Sequence, residues 1–374
     1  MQFEQGPIRP PSEATSLLLR VTRNCPWNKC VFCKSYKKRK FSRRSVEEIK
    51  NDIMAIKNTC EEIKDLSKQW GERGNISLNV IQQLQHKYDH TYLHLAIWLY
   101  YGGKTAFLQD ANSLILKKED LLEVLQTLKD NFPSIERITT YARAKTVCKK
   151  NVQELEQLHQ AGLTRVHMGL ESGSDKVLSL INKGATSSEM IEAGQKLIQG
   201  GLSLSYYIIL GMGGKKYTQE HALESARVIN AANPDYIRFR TLSVIPRTQL
   251  ADMVEEGIFE PLPEEEIARE EKLLIENIDH VNSNLASDHA NNLLEDVRGK
   301  LPEEKKSMLQ VIDRFLQMPL EDRTNFQLGK RLGIYRTLDD MKDPTKYNHV
   351  SQEVKHLQGE GSFENVINYI RQRL

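Results

Sequence analysis

Residues 17–33 read LLLRVTRNCPWNKCVFC. Leu17, Leu18, Leu19 and Val21 form an apolar run too short for a helix, so Ser16 to Val21 is expected to be a buried strand. The loop behind it delivers Cys25, Cys30 and Cys33 within nine positions. Thiolates that close together suit a soft metal or an iron–sulfur cluster. The chain has five cysteines, and the clustering of these three fits a reducing compartment and a metal site better than a disulfide framework. Cys60 and Cys148 read as helix or core thiols.

Working outward, apolar runs alternate with amphipathic stretches. Ser45 and Glu48 have capping-box spacing at the start of a helix whose stripe is Ile49, Ile53, Ile56 and Ile63. Residues 65–104, broken by Gly71 and Gly74 and closed by Gly102–Gly103, read as a helical insertion. Further strands are expected at 106–109, 137–141, 165–169, 204–210 and 236–242. Helices are expected at 118–131, 152–161, 188–199 and 219–232. Each crossover is long enough for the helix that parallel pairing requires. Right-handed crossovers repeated in this way curl a sheet into a full or partial barrel, with a doubly wound open sheet as the alternative that strand order would decide. The expected fold is α/β, a partial (β/α)6 TIM-like barrel with a helical C-terminal extension. Residues 1–250 form the core, 251–334 the extension and 335–374 a tail. Residues 264–318 are expected to be helical, and Phe363 to Leu374 amphipathic.

The 374 residues include 52 basic and 50 acidic ones, a net charge of +2, which gives no global attraction to nucleic acid or membrane. No stretch approaches the roughly 20 apolar residues of a spanning helix. The N-terminus is polar and Pro-rich, unlike a signal peptide, so the expected location is cytoplasmic.

A structural zinc site normally takes four protein ligands. The nearest candidates for a fourth are Cys60 and His86, both in expected helices. With three cysteines, the alternative is a [4Fe–4S] cluster with one iron left open. A Cys-rich loop after the first strand of a β/α barrel resembles the radical S-adenosylmethionine superfamily, whose usual spacing is C-x3-C-x2-C; here it is C-x4-C-x2-C. The resemblance implies that Cys25, Cys30 and Cys33 hold the cluster and that S-adenosylmethionine chelates the open iron. Reductive cleavage then gives a 5′-deoxyadenosyl radical that abstracts hydrogen from substrate.

The same resemblance, covering about Leu17 to Thr248, implies further roles. Phe32 lies where the family places an aromatic against adenine. Asp110 stands where a Gly-Gly-Glu-like motif receives the methionine amine. Tyr141 and Arg143 follow the third strand, and Glu171 and Ser172 end the fourth in MGLESG. Gly211 ends the fifth in LGMGG. Arg238 and Arg240 share one face of the sixth and could meet the cofactor carboxylate, or pair with Glu171 or Asp235. The wording is similar to a branch related to coproporphyrinogen dehydrogenase and elongator-type radical proteins. That kinship implies a fold and a chemistry but no substrate, which is left open between a small molecule and tRNA; the expected electron donor is a reductase such as flavodoxin or ferredoxin.

Two further signals stand apart. Residues 34–44, KSYKKRKFSRR, hold seven basic residues with Tyr36 and Phe41 interleaved. They suit RNA, an acidic electron donor, or a solvated loop. A zinc-stabilised nucleic-acid-binding protein using this run is the alternative function. Ser287 to Asn292 form a dense polar patch, with His289 a candidate substrate contact and Ser287 or Asp288 a candidate helix cap.

Overall fold

The computed structural model describes residues 3–372. Its strands are β1 (Leu17–Arg20), β2 (Thr22–Arg23), β3 (Ser42–Arg43), β4 (Thr105–Gln109), β5 (Arg137–Ala142), β6 (Leu163–Glu171), β7 (Ser203–Leu210), β8 (Tyr236–Thr241), β9 (Asn284–Ala286) and β10 (Arg298–Lys300). The main strands follow the order β1-β4-β5-β6-β7-β8-β9-β10 in a sheet that does not close, while β2 and β3 pair separately. The six expected strand–helix units are present, as a mixed α/β fold with a largely parallel, open sheet. By contact the chain divides into two compact units. One is Met1–Asn28, Ser35–Met168 and Gln195–Leu204; the other is Lys29–Lys34, Gly169–Gly194 and Ser205–Leu374.

In the first unit β1 pairs in parallel with β4, from Leu17↔Ala106 to Arg20↔Gln109, and β4 pairs with β5. β5 pairs with β6 through Ala142↔Met168. The helix Val46–Gln69 starts at the expected capping box: Ser45 Oγ accepts the Glu48 N–H at 3.1 Å, and Glu48 Oε2 accepts the Ser45 N–H at 2.8 Å. Its stripe of Ile49, Ile53, Ile56 and Ile63 is fully buried, as are Leu121, Val124, Leu125 and Leu128 of the helix Lys118–Asn131 packed against it. At about 1.5–3 kcal/mol for each large apolar side chain buried, this layer is a main stabilising contact of the unit. The expected insertion consists of helices Leu78–Lys87 and His90–Tyr100.

In the second unit β7 pairs in parallel with β8 and β8 with β9, and β10 closes the edge antiparallel to β9. Helix Glu264–Glu276 packs on helices Gly214–Ala232 and Lys305–Gln317. The expectation of continuous helix over 264–318 is corrected here, because residues 277–304 carry β9 and β10. Asn282 and Asn284 are poor helix formers, and Leu285 at 2% exposure is the apolar residue that sits in the sheet. The tail contains helices Pro344–Gly359, which the sequence did not suggest, and Phe363–Arg371. Leu374, the end of the expected amphipathic stretch, lies outside the described residues.

Candidate metal and cofactor site

In parallel α/β folds, reacting groups collect at the C-terminal ends of strands.

In the first unit, β1 ends at Arg20 and Cys25 follows, half-exposed, with its Sγ accepting the Asn28 N–H at 3.4 Å. Asn24 and Asn28 have φ of 69° and 49°, left-handed values that asparagine tolerates better than most residues. Asp110, just past β4, is fully buried and takes hydrogen bonds from Arg20, Asn24 and Tyr36. Tyr141 stands edge-on to Phe107, ring centroids 5.3 Å apart, and 5.6 Å from the His167 ring. The Arg143 guanidinium lies 5.1 Å from the centre of the Trp27 ring, and its backbone N–H donates to Asn112 Oδ1 at 3.1 Å.

In the second unit, the half-exposed Cys30 and Cys33 share a tight turn in which the Cys33 N–H donates to the Cys30 carbonyl at 3.4 Å. Val31, between them, is anchored at both backbone polar groups: its N–H donates to Ile181 O at 3.0 Å and its carbonyl accepts from Leu250 N at 3.1 Å. Phe32 packs on an apolar cluster that includes Val31, Val177, Ile181 and Met212. Glu171 has a φ of 61°, and its carboxylate receives Lys183 Nζ at 2.6 Å.

Ser172 is fully buried; its hydroxyl pairs with His221 Nδ1 at 2.8 Å and accepts the Ser174 N–H at 3.1 Å. The Gly211 N–H donates to Glu270 Oε1 at 2.6 Å, and Thr218 donates to Glu270 Oε2 at 2.7 Å. His221 Nε2 lies 3.6 Å from Glu270 Oε1. Burial lowers His221 to about 4 and pushes Glu270 up to about 7, so the imidazole is neutral at neutral pH. Neither His221 nor Glu270 stood out in the sequence.

Arg238 and Arg240 both donate to Asp288, at 2.8 and 2.9 Å. Burial works against the Asp288 charge, but Arg240 and Arg238 hold its carboxyl below the usual carboxylate range. The patch 287–292 is therefore tied to β8. Ser287 caps no helix and instead accepts from Asn292 Nδ2 at 2.8 Å. His289 Nδ1 accepts the Asn291 N–H at 3.2 Å, and burial lowers its ring to about 4.

The donor set fits an iron–sulfur group. Three half-exposed thiols occupy one short segment, and the five cysteines are all thiols rather than disulfides. Among the described residues no three His, Cys, Asp or Glu side chains are drawn into a metal-holding group, so the fit rests on donor chemistry. Cys60 is buried, and burial pushes its thiol up to about 12. The basic run is also narrower than its composition suggests. Tyr36 is 3% exposed, and Arg44 is buried against Asp52 at 2.5 Å, so neither is presented for stacking or phosphate contact. Among the described residues no helix is long and apolar enough to cross a membrane.

Residues 93–229 match the family model described as the Radical SAM superfamily. The chain is 31% identical over 115 residues to a tRNA uridine(34) acetyltransferase of Methanocaldococcus infernus, covering 30% of this chain and 22% of that protein. It is 25% identical over 199 residues to a 4′-phospho-dehydrooxetanocin synthase of Priestia megaterium, covering 52% of this chain and 23% of the relative. The chain thus spans less than a quarter of the length of either. Among solved structures, the cobalamin-dependent S-adenosylmethionine radical enzyme OxsB aligns with 97% of this chain and 58% of its own, at 13% identity and a TM-score of 0.48. The archaeal Methanocaldococcus infernus Elp3 aligns with 64% of this chain and 59% of its own, at 18% identity and a TM-score of 0.43.

Proposed function

We propose that this chain, an enzyme of the radical SAM superfamily, uses Cys25, Cys30 and Cys33 to hold a [4Fe–4S] cluster and acts by hydrogen abstraction. The observation that carries the reading is the set of three half-exposed thiols within nine residues behind β1, in a chain whose residues 93–229 match the Radical SAM superfamily model. When bound, the cluster supplies the electron that cleaves S-adenosylmethionine to a 5′-deoxyadenosyl radical.

The protein's own residues bind and orient. Phe32, Tyr141 and Arg143 offer aromatic and cationic surfaces for adenine and carboxylate. Glu171, held by Lys183, accepts ribose hydroxyls, and the Gly211 turn gives the adenine a backbone edge. Arg238 and Arg240, sharing the single Asp288 carboxylate, retain one positive charge for the methionine carboxylate. Ser172 supports its strand end from behind, through His221. Residues 1–250 are the functional core, with 251–334 and 335–374 appended to it.

A tRNA substrate is the finer part of the proposal. Its support is the 115-residue similarity to a tRNA uridine(34) acetyltransferase and the exposed Lys34, Lys38, Arg39 and Lys40. A flavodoxin- or ferredoxin-type reductase would supply the electron.

Anaerobic reconstitution, reduction and 5′-deoxyadenosine detection test the chemistry, with bulk tRNA added in one arm. The expected protein is brown and oxygen-sensitive and releases 5′-deoxyadenosine, with tRNA accelerating release. A colourless protein with stoichiometric zinc and no release would overturn the enzyme reading. Release that tRNA leaves unchanged would overturn the tRNA assignment alone.

A further inference from the structure

Asp110 follows β4 with a φ of 75°, a left-handed conformation rare outside glycine, and its side chain is fully buried. Its Oδ2 accepts Arg20 Nε at 2.7 Å and the backbone N–H of Asn24 at 3.0 Å, while Oδ1 accepts the Tyr36 hydroxyl at 3.2 Å. Asn24 directly precedes Cys25, and Tyr36 lies three residues beyond Cys33. One carboxylate therefore holds both ends of the segment that carries the three thiols.

Its flanks are also bound to each other. Asn24 Nδ2 donates to Lys40 O and Asn28 Nδ2 to Tyr36 O, each at 2.6 Å, and Lys37 Nζ donates to Asn28 O at 3.1 Å. The N-terminal segment closes over the carboxylate. Gly6 approaches so nearly that a Cβ there would stand 2.9 Å from Asp110 Oδ1, and the Gly6 N–H donates to Gln109 Oε1 at 2.8 Å. Glu4, in the same segment, binds Arg20 and Arg23 at 2.8 and 2.6 Å. A carboxylate enclosed in this way is not open to the amine of a ligand.

We infer that Asp110 is the positioning residue of the three-cysteine segment. By fixing Asn24 and Tyr36 to one side chain it sets the span over which Cys25, Cys30 and Cys33 can reach a common metal, and it does not contact the cofactor. The inference rests on the reading of these cysteines as iron ligands. The charged oxygens make the hold stronger than a neutral turn would, because hydrogen bonds to an ionised acceptor are roughly twice as strong as neutral ones.

Asp110→Asn replaces one acceptor oxygen with an N–H donor facing groups that already donate. Tyr36→Phe removes a single bond and leaves the Arg20 pair intact. In the metal-free protein, the thiol-labelling rate of each cysteine would be read by mass spectrometry. Both variants should raise the rates at Cys25, Cys30 and Cys33, by about fivefold or more in Asp110→Asn, as expected from losing roughly one net hydrogen bond. Buried Cys60 and half-exposed Cys148, both away from the segment, should stay unchanged and report that the fold is intact. After reconstitution, iron and sulfide per chain should fall by more than half in Asp110→Asn, with S-adenosylmethionine affinity per remaining cluster unchanged. Wild-type labelling rates and iron content combined with weakened S-adenosylmethionine binding would overturn the inference and return Asp110 to the ligand. Wild-type labelling in both variants would also overturn it. If the unmodified protein takes up no iron, the cluster reading fails, and the labelling rates still decide whether Asp110 holds the segment.

Discussion

Glu271 is 3% exposed, and its Oε1 has no hydrogen-bond partner. Burial, with the neighbouring Glu270 adding, pushes its carboxyl up from 4.5 to about 8. Each pH unit of such a displacement is worth about 1.4 kcal/mol, so the fully charged form costs about 5 kcal/mol of folding stability. The sign follows from proton release. Below pH 4.5 the group is protonated in both states and no penalty applies. As pH rises above that value the unfolded chain loses its proton first, so stability falls, and the loss levels off once the folded carboxyl also ionises above about 8. Glu271→Gln keeps the shape of the protonated side chain and removes the titration. Denaturant unfolding of the metal-free protein at pH 5 and pH 8.5 measures the difference. Near pH 5 the variant should lie within about 1 kcal/mol of wild type, the usual range for a nearly isosteric change. At pH 8.5 it should be more stable by several kcal/mol, up to the ceiling of about 5. Parallel stability curves across this range would refute the reasoning. They would mean that water or a rotated side chain satisfies the carboxylate.

Other substitutions follow from packing and pairing. Gly173→Ala would place a Cβ 2.1 Å from the Glu224 carbonyl oxygen, where helix Gly214–Ala232 passes over the β6 end. It should cost about 1–3 kcal/mol or more, read as a lowered Tm. Glu264→Ala leaves Arg331, whose side chain is fully buried, without its carboxylate partner. Destabilisation of about 3–5 kcal/mol is expected by denaturant titration, and a double variant with Arg331→Leu should recover part of it. Asp288→Asn weakens the clamp on Arg238 and Arg240, whose side chains are 9% and 13% exposed. Because Asp288 is itself 36% exposed, the cost should be about 1–2 kcal/mol rather than that of a sealed pair. That cost should shrink as pH falls and the wild-type carboxyl protonates.

The strands were legible because each is an apolar run set apart by a crossover with helical periodicity, and such runs are buried whatever lies beside them. β9 and β10 were not, because three residues each, NLA and RGK, are too few for a period to register. The bonds around Asp110 escaped for another reason. Asn24 and Tyr36 are 86 and 74 positions from their acceptor, and Arg238 is 50 from Asp288. Hydrogen bonds at such separations leave no local signature. The polar patch at 287–292 was visible as composition, yet its partner on β8 was not.

The cysteines were legible as ligands because three thiols in nine residues have few other uses, whereas the carboxylates and hydroxyls at strand ends have many. Asp110 and Ser172 occupy positions where the family resemblance placed cofactor contacts, and both are fully buried. Phe32, Tyr141, Arg143 and Glu171 keep part of their surface. A polar group cannot serve both as an internal strut and as a ligand contact without exchanging one set of hydrogen bonds for the other, which costs about as much as the bonds it abandons. Burial therefore sorts these residues into those that hold the strand ends and those that can meet a ligand. Asp110 carries its load through Arg20, Asn24 and Tyr36; Ser172 carries its through His221. Position at a strand end thus says where a residue works, while the partners of its oxygens say what it does there.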